Sequence, residues 1–156
     1  MVDDSLQIIP FCKALAVEFR NLNLAWISKY FAIEPTDEAV LSNPKEHIID
    51  KGGHIFFAAF DGEIAGTFAL MKEDDNVFEL SKMAVSEKFQ GRKIGNKLLK
   101  FAIEKAREIG ARKLILFSNT MLAPAIHLYK KYGFAEVSME NSEYKRSNIK
   151  MERQLL

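Results

Sequence analysis

The sequence predicts a mixed α/β fold, and three observations predict it. Residues 54–85 hold three β-rich runs separated by turn residues, the pattern of an antiparallel meander. Residues 94–109 carry apolar side chains on one helical stripe, closed by Gly110. A short apolar run at 113–117 follows that helix, so this strand and the strand at 77–85 should pair in parallel.

The elements are expected in the following order. A weak opening strand covers Leu6 to Pro10. Leu15, Phe19, Leu22, Ala25 and Trp26 recur at spacings of three and four, which predicts a helix with that stripe inward. A second, short helix starts at Thr36, with Thr36 as cap and Asp37 and Glu38 in its first turn. It stops by Asn43-Pro44, because the residue before a proline avoids helical angles. His54 to Phe60 and Glu63 to Leu70 flank Asp61-Gly62, a strong hairpin signal. Lys72 to Asn76 is a polar turn, and Val77 to Val85 is the third strand. Ile94, Leu98, Leu99, Ala102, Ala106 and Ile109 form the buried stripe of the long helix. Pro124 to Tyr132 is the last helix, with proline at its start and Gly133 after its end. Phe134 to Val137 and Ile149 to Leu155 supply two more strands, joined by a polar connection through Tyr144 and Arg146.

A chain of 156 residues, 48% hydrophobic and 28% charged, suits one globular domain over residues 1–156. The formal net charge of +1 argues against a protein that coats nucleic acid, though it leaves room for a local basic patch. Cys12 is the one cysteine, so neither an intrachain disulfide nor a cysteine metal cluster can form. A reducing compartment is expected, with Cys12 as a small buried apolar residue. The start of the chain, with Asp3 and Asp4, lacks the order of a signal peptide, and no apolar run reaches 18 residues. The expectation is a cytoplasmic protein with no nucleic-acid or membrane partner. His47, His54 and His127 stand apart without metal-ligand spacing, so no metal is expected. His47 and His54 could be drafted as bases, since histidine titrates near neutrality, whereas His127 would face away from Tyr129 on its helix.

The stretch most informative about chemistry is Val85 to Leu99. A strand ends at Val85, a loop reads Gln90-Gly91-Arg92-Lys93-Ile94-Gly95-Asn96, and a long helix follows. Glycines at a helix entry let backbone N–H groups point outward together, and the helix dipole favours an anion there. Arg92, Lys93, Lys97 and Lys100 add positive charge at the same end. This is a phosphate cradle by physical criteria. It is neither the Walker loop nor the dinucleotide GxGxxG. Local features leave an ordinary strand-to-helix turn with a solvated basic face equally open.

This loop resembles the acetyl-CoA loop of the GNAT superfamily of N-acetyltransferases, whose pattern is (Arg/Gln)-x-x-Gly-x-(Gly/Ala). Gln90 and Gly95 match its ends, and Lys93 stands where the central glycine is usual. Glu79-Leu-Ser-Lys-Met83-Ala84-Val85 resembles the family's fourth strand, and Ala125-Ile-His-Leu-Tyr129-Lys-Lys-Tyr-Gly133-Phe134 its ALYxKxGF motif. The specific match covers residues 54–137. The resemblance implies a central, mostly antiparallel twisted sheet of about seven strands with a parallel central pair, flanked by about four helices.

The resemblance also implies roles. Met83 and Val85 would pair with the pantetheine arm, with Ala84 between them. Amides of Gly91, Arg92, Lys93, Ile94, Gly95 and Asn96 would hold the pyrophosphate. Lys88, Arg92, Lys93 or Lys97 would meet the nucleotide's 3′-phosphate. Gln90 and Asn119 join the cofactor-binding set. Direct acetyl transfer to a primary amine of a small molecule, amino acid or peptide would use Glu79 as base and Tyr129 as acid to the CoA sulfur. The N–H of Met83 or Ala84 would meet the developing oxyanion. Trp26, Tyr30 and Phe31 would line the acceptor site, although aromatics at such spacing also serve simply as core. Asn119 is equally readable as a turn residue. The family also allows a homodimer. A different reading is a non-catalytic acyl-CoA sensor or regulatory module, for which Lys93 in place of glycine speaks. A third is a phosphate module for ordinary nucleotides.

Overall fold

The structure is a computed structural model, and it describes residues 6–139, 142 and 144–155. Asp3 and Asp4, and Glu140, Asn141 and Glu143 of the polar connection, lie outside the described residues. The elements run β1 (Leu6–Pro10), α1 (Ala16–Tyr30), α2 (Pro35–Ser42), β2 (His54–Phe60), β3 (Glu63–Lys72), β4 (Val77–Val85), α3 (Ile94–Glu108), β5 (Lys113–Ser118), α4 (Ala123–Lys131), β6 (Ala135–Val137) and β7 (Ile149–Gln154). The seven strands form one sheet in the order β1-β2-β3-β4-β5-β7-β6. Every pairing is antiparallel except β4 with β5, as the sequence predicts.

Phe56 and Phe57, neighbours on β2, belong to two different apolar clusters, because successive side chains of a strand point to opposite faces. One cluster joins Phe56, Phe68, Leu70, Phe78 and Leu80 to Leu98, Leu99 and Ala102 of α3. The other joins Phe57, Ile55 and Ala69 to Phe19 and Ile27 of α1 and to Val40 and Leu41 of α2. The helices α3 and α4 therefore cover one face of the sheet, and α1 and α2 the other. At the β2–β3 hairpin, Asp61 and Gly62 both have positive φ, 48° and 81°, the geometry that a two-residue turn requires.

Three local expectations need correction. In α1 the fully buried residues are Phe19, Asn23 and Ile27, whereas Ala25 is exposed, so the inward stripe is rotated from the predicted one. The buried Asn23 donates to the Phe19 carbonyl at 3.0 Å and accepts from Trp26 Nε1 at 3.1 Å. A polar residue can hold this core position because its hydrogen bonds are made within the helix. Helix α2 begins one residue earlier than predicted, with Glu34 at the cap and Pro35 at its first position. Asp37, not Thr36, satisfies an entry donor, accepting the Glu34 N–H at 2.9 Å. Cys12 is exposed, because it lies in the connection between β1 and α1 and not in either cluster.

Candidate active site

Strands β4 and β5 pair only from Val77–Lys113 to Glu79–Ile115. Beyond Glu79 they have no ladder between them. A cleft of about 260 Å³ opens there, with Leu80 to Val85 on one wall and Phe117 to Asn119 on the other. Glu79, Gln90, Leu122, Ala125 and Tyr129 also line it. At the α1 end it is closed by Trp26, Tyr30, Phe31, Tyr144 and Arg146.

Strand β4 is irregular along this wall. Thr67 faces Ala84 and Ala69 faces Ser81, so Lys82 and Met83 together oppose Phe68. This is a β-bulge, and Lys82 takes φ 55° within it. Strict alternation would put Lys82 on the α3 face with Phe78 and Leu80. The bulge turns it toward α2 instead, where its Nζ meets Asp37 Oδ1 at 3.1 Å.

The loop after β4 is anchored by Ser86 N–H on the Ala65 carbonyl at 2.8 Å. A short turn over Glu87–Phe89 follows. Gly91 has φ 83°, and Lys93, at the cap of α3, has φ 59° and ψ 29°. The first helical bond runs from Lys97 N–H to the Lys93 carbonyl at 3.2 Å. The N–H groups of Ile94, Gly95 and Asn96 thus precede any intrahelical acceptor and face the helix entrance. A Cβ on Gly95 would lie 3.6 Å from Leu128 of α4, ordinary contact. Asn96 Oδ1 accepts from Tyr132 Oη at 3.4 Å and Lys131 Nζ at 3.5 Å, which ties α3 to α4. Arg92 lies over the rings of Phe60 and Phe89 at 4.9 and 5.8 Å, and Lys88 pairs with Glu63 at 2.7 Å.

Tyr129 packs edge-on against Phe134, and burial pushes its phenol up to about 12. Asn119 Nδ2 donates to the Arg146 carbonyl at 2.6 Å, and its Oδ1 accepts the Met121 N–H at 2.8 Å. Its side chain therefore fastens the two loops at the end of β5 while it lines the cleft. None of His47, His54 and His127 lines the cleft. His47 Nδ1 lies 3.0 Å from the Asn43 carbonyl oxygen, and His54 stacks on Phe56.

Behind the aromatic end of the cleft sits an ionic knot. Arg146 Nη1 and Nη2 grip Asp37 Oδ2 and Oδ1 at 2.7 and 2.8 Å. Lys82 Nζ bonds Asp37 and also Tyr144 Oη, the latter at 2.8 Å. Glu34 accepts the N–H groups of Lys145 and Arg146 at 2.9 and 3.4 Å. The Asp37 side chain is fully buried, Lys82 is 2% exposed and Arg146 is 11% exposed. Burial alone would raise the Asp37 carboxyl. The hydrogen bonds from Arg146 and the Glu34 amide, with the charge and hydrogen bond of Lys82, outweigh it and hold Asp37 below its usual range. Burial lowers Lys82, against the opposing pull of Asp37.

The sequence pattern of the acetyltransferase (GNAT) family matches residues 19–134. The chain belongs to this family. It is accordingly an acetyl-CoA-dependent N-acyltransferase. An uncharacterised N-acetyltransferase of Bacillus subtilis, YvbK, is 28% identical over 113 residues, 70% of this chain and 73% of the relative. A GNAT acetyltransferase from Staphylococcus aureus superposes with a TM-score of 0.87 at 24% identity, covering 97% of this chain and 99% of the other. One from Elizabethkingia anophelis, solved with acetyl-CoA bound, superposes with a TM-score of 0.65 at 25% identity, over 97% and 99% of the two chains.

Lys93 is compatible with a left-handed turn at the entrance to α3. Lys93 adopts the left-handed angles that a glycine would take, so its substitution leaves the course of the backbone intact. The backbone at that position therefore lends no support to a non-catalytic module. From the sequence Tyr144 and Arg146 can reach the cleft but read more simply as a solvated hairpin loop; both line the cleft, and the knot they join carries no sequence signature. Asp37 reads as one more acidic residue in a first helical turn, and Lys82 as a solvated lysine in a strand. The one signal available was a lysine in step with the apolar Phe78, Leu80 and Ala84 of its strand.

Proposed function

We propose that this GNAT protein acetylates a primary amine of a small molecule, amino acid or peptide by direct transfer from acetyl-CoA. The observation that carries the reading is the cleft between the diverging β4 and β5. It gathers Glu79, the Met83–Val85 edge, Gln90 and Tyr129 along one opening, and Gln90 is followed directly in the chain by the loop that enters α3. The residues fit acetyl-CoA. Gly91 and Lys93, both at positive φ, shape the loop toward the first-turn amides of Gly95 and Asn96, which suit a pyrophosphate. The β4 edge beyond Glu79 has no partner in the β5 ladder, which suits an extended amide-bearing arm. Lys93 and Lys97 supply charge for the remaining phosphate, with Arg92 held on its aromatic platform.

Acetyl-CoA supplies an acetyl thioester. Glu79 accepts the proton that an alkyl ammonium, with a pKa near ~10, must lose before it can attack. The N–H of Met83 or Ala84, at the bulge, donates to the acetyl oxygen as it gains charge. Tyr129, whose burial keeps its phenol protonated throughout the working range, gives a proton to the departing sulfur. Trp26, Tyr30 and Phe31 border the acceptor. The reading also takes residues 1–156 as one cytoplasmic domain. The single sheet joining β1 to β7 and the lone cysteine of a reducing compartment support it. Among the described residues no helix is long and apolar enough to cross a membrane.

Calorimetric titration with acetyl-CoA, with ATP as the comparison ligand, tests the cofactor. One-to-one binding with ATP much weaker is expected. Equal or tighter ATP binding would convert the cradle to an ordinary nucleotide site. An amine panel assayed for free CoA then tests transfer.

A further inference from the structure

The acceptor end of the cleft combines two properties. Three charged residues line the cleft, Glu79, Lys82 and Arg146, and the two cations are already engaged from behind. Asp37 takes both terminal nitrogens of Arg146 and one hydrogen bond from Lys82, and Glu34 lies 3.5 Å from Arg146 Nη1. Two cations face two carboxylates, so the knot is neutral as a unit. The rest of that end is aromatic and held in place. Trp26 donates to Asn23 at 3.1 Å and meets Phe31 edge-on at 6.4 Å. Arg146 lies over the rings of Tyr144 and Trp26 at 4.3 and 5.7 Å.

We infer that the acceptor is a primary amine carrying a flat apolar or aromatic body and no carboxylate, and that the Asp37–Lys82–Arg146–Glu34 knot sets this preference by neutralising the wall. This rests on the transferase reading given above. A carboxylate on the acceptor would have to compete with a fully buried, bidentate Asp37 for Arg146, while losing its own water. A second ammonium group would approach the cations Lys82 and Arg146, because Asp37 and Glu34 lie behind them and the one carboxylate of the lining, Glu79, serves the amine that reacts. A flat apolar body meets the rings of Trp26, Tyr30, Phe31 and Tyr144 and gains by leaving water. Asp37 is thus a positioning residue that touches no substrate and acts through Lys82 and Arg146.

The test is a matched panel with the full chain: phenethylamine, phenylalanine, which adds one carboxylate, and putrescine, which offers a second ammonium. Wild type should favour phenethylamine in kcat/KM by about tenfold or more over both. Asp37→Asn removes one negative charge from the knot and should shift the ratio of phenylalanine to phenethylamine upward by about tenfold. Arg146→Gln removes one positive charge and should shift the ratio of putrescine to phenethylamine upward. A knot that only braces the fold would depress all three amines together in each variant, and that result would overturn the assignment of selectivity. Thermal unfolding and acetyl-CoA titration of each variant separate misfolding from selectivity. If neither variant folds, the wild-type ratios decide. Preference for phenylalanine or putrescine overturns the inference and leaves the transferase reading standing. So does acetyl-CoA binding without transfer to any panel amine. Absence of acetyl-CoA binding by wild type would instead bring down the transferase reading itself.

Discussion

The loop at the α3 entrance, which reaches the cleft at Val85 and Gln90, is one continuous stretch of chain to Lys97, whereas the aromatic end proposed for the acceptor, with the knot behind it, draws Trp26, Asp37, Lys82 and Arg146 from separate parts of the fold. The loop end works through backbone. Its shape depends on positive φ at Gly91 and Lys93 and on the donors that any helix start leaves over. The acceptor end works through side chains whose charges balance across residues 34 to 146. A backbone device tolerates substitution as long as the angles can be reached, as Lys93 demonstrates. A buried charge balance tolerates very little, because each member left alone would be an unpaired ion in a poorly solvated place.

This difference can be broken or sharpened by experiment. The largest effect is expected at Asp37. Asp37→Ala strands Lys82 and Arg146 and should cost about 3–5 kcal/mol in urea unfolding. Gly91→Ala at the loop end, where an added Cβ meets nothing within 4 Å, should cost only about 1–2 kcal/mol from its left-handed angle. Equal losses at the two positions would erase the distinction.

Next comes chemistry without packing change. Tyr129→Phe should lower kcat about 100-fold while acetyl-CoA binding, read by calorimetry, stays as in wild type. A fall in affinity alone would reduce Tyr129 to a packing residue.

Acid should then act on the acceptor end selectively. The Asp37 carboxyl is held below its unfolded value of about 4, so its contribution is fully present above that pH. It is lost as pH falls through the lower, folded value. The stability of wild type should therefore drop on acidification over that window more steeply than that of Asp37→Asn. Parallel curves from the two proteins would contradict the assignment.

The smallest effect is expected at Lys93. Lys93→Gly relieves the left-handed strain and should stabilise the chain by about 0.5–1 kcal/mol, while weakening acetyl-CoA binding modestly through the lost ammonium. Destabilisation would mean that the lysine side chain supports the loop in a way its backbone angles do not explain.

Much of the fold was legible because its signals are local. Asp61-Gly62 marked a hairpin, the stripe from Ile94 to Ala106 marked α3, and Val77–Val85 came out with its observed bounds. The face of α1 was misread because Asn23 is buried with its hydrogen bonds made inside the helix, a polar residue that periodicity assigns to solvent. Cys12 was misplaced because composition alone says nothing of whether a loop residue is covered. The candidate loop, Glu79 and Tyr129 stood in recognisable motifs, and the structure places Glu79, Met83, Gln90 and Tyr129 on one cleft.

Local residue patterns set the order of strands and helices, the parallel step between β4 and β5, and the glycine-bearing entrance to α3. Spacing and backbone preference act over a few residues, so they can be read in a line. Only the tertiary structure decided where β4 and β5 part, which way the bulge turns Lys82, and that Asp37 meets both Lys82, 45 residues away, and Arg146, 109 away. A charge finds its partner through the low-dielectric space that packing encloses, and no local pattern carries that information.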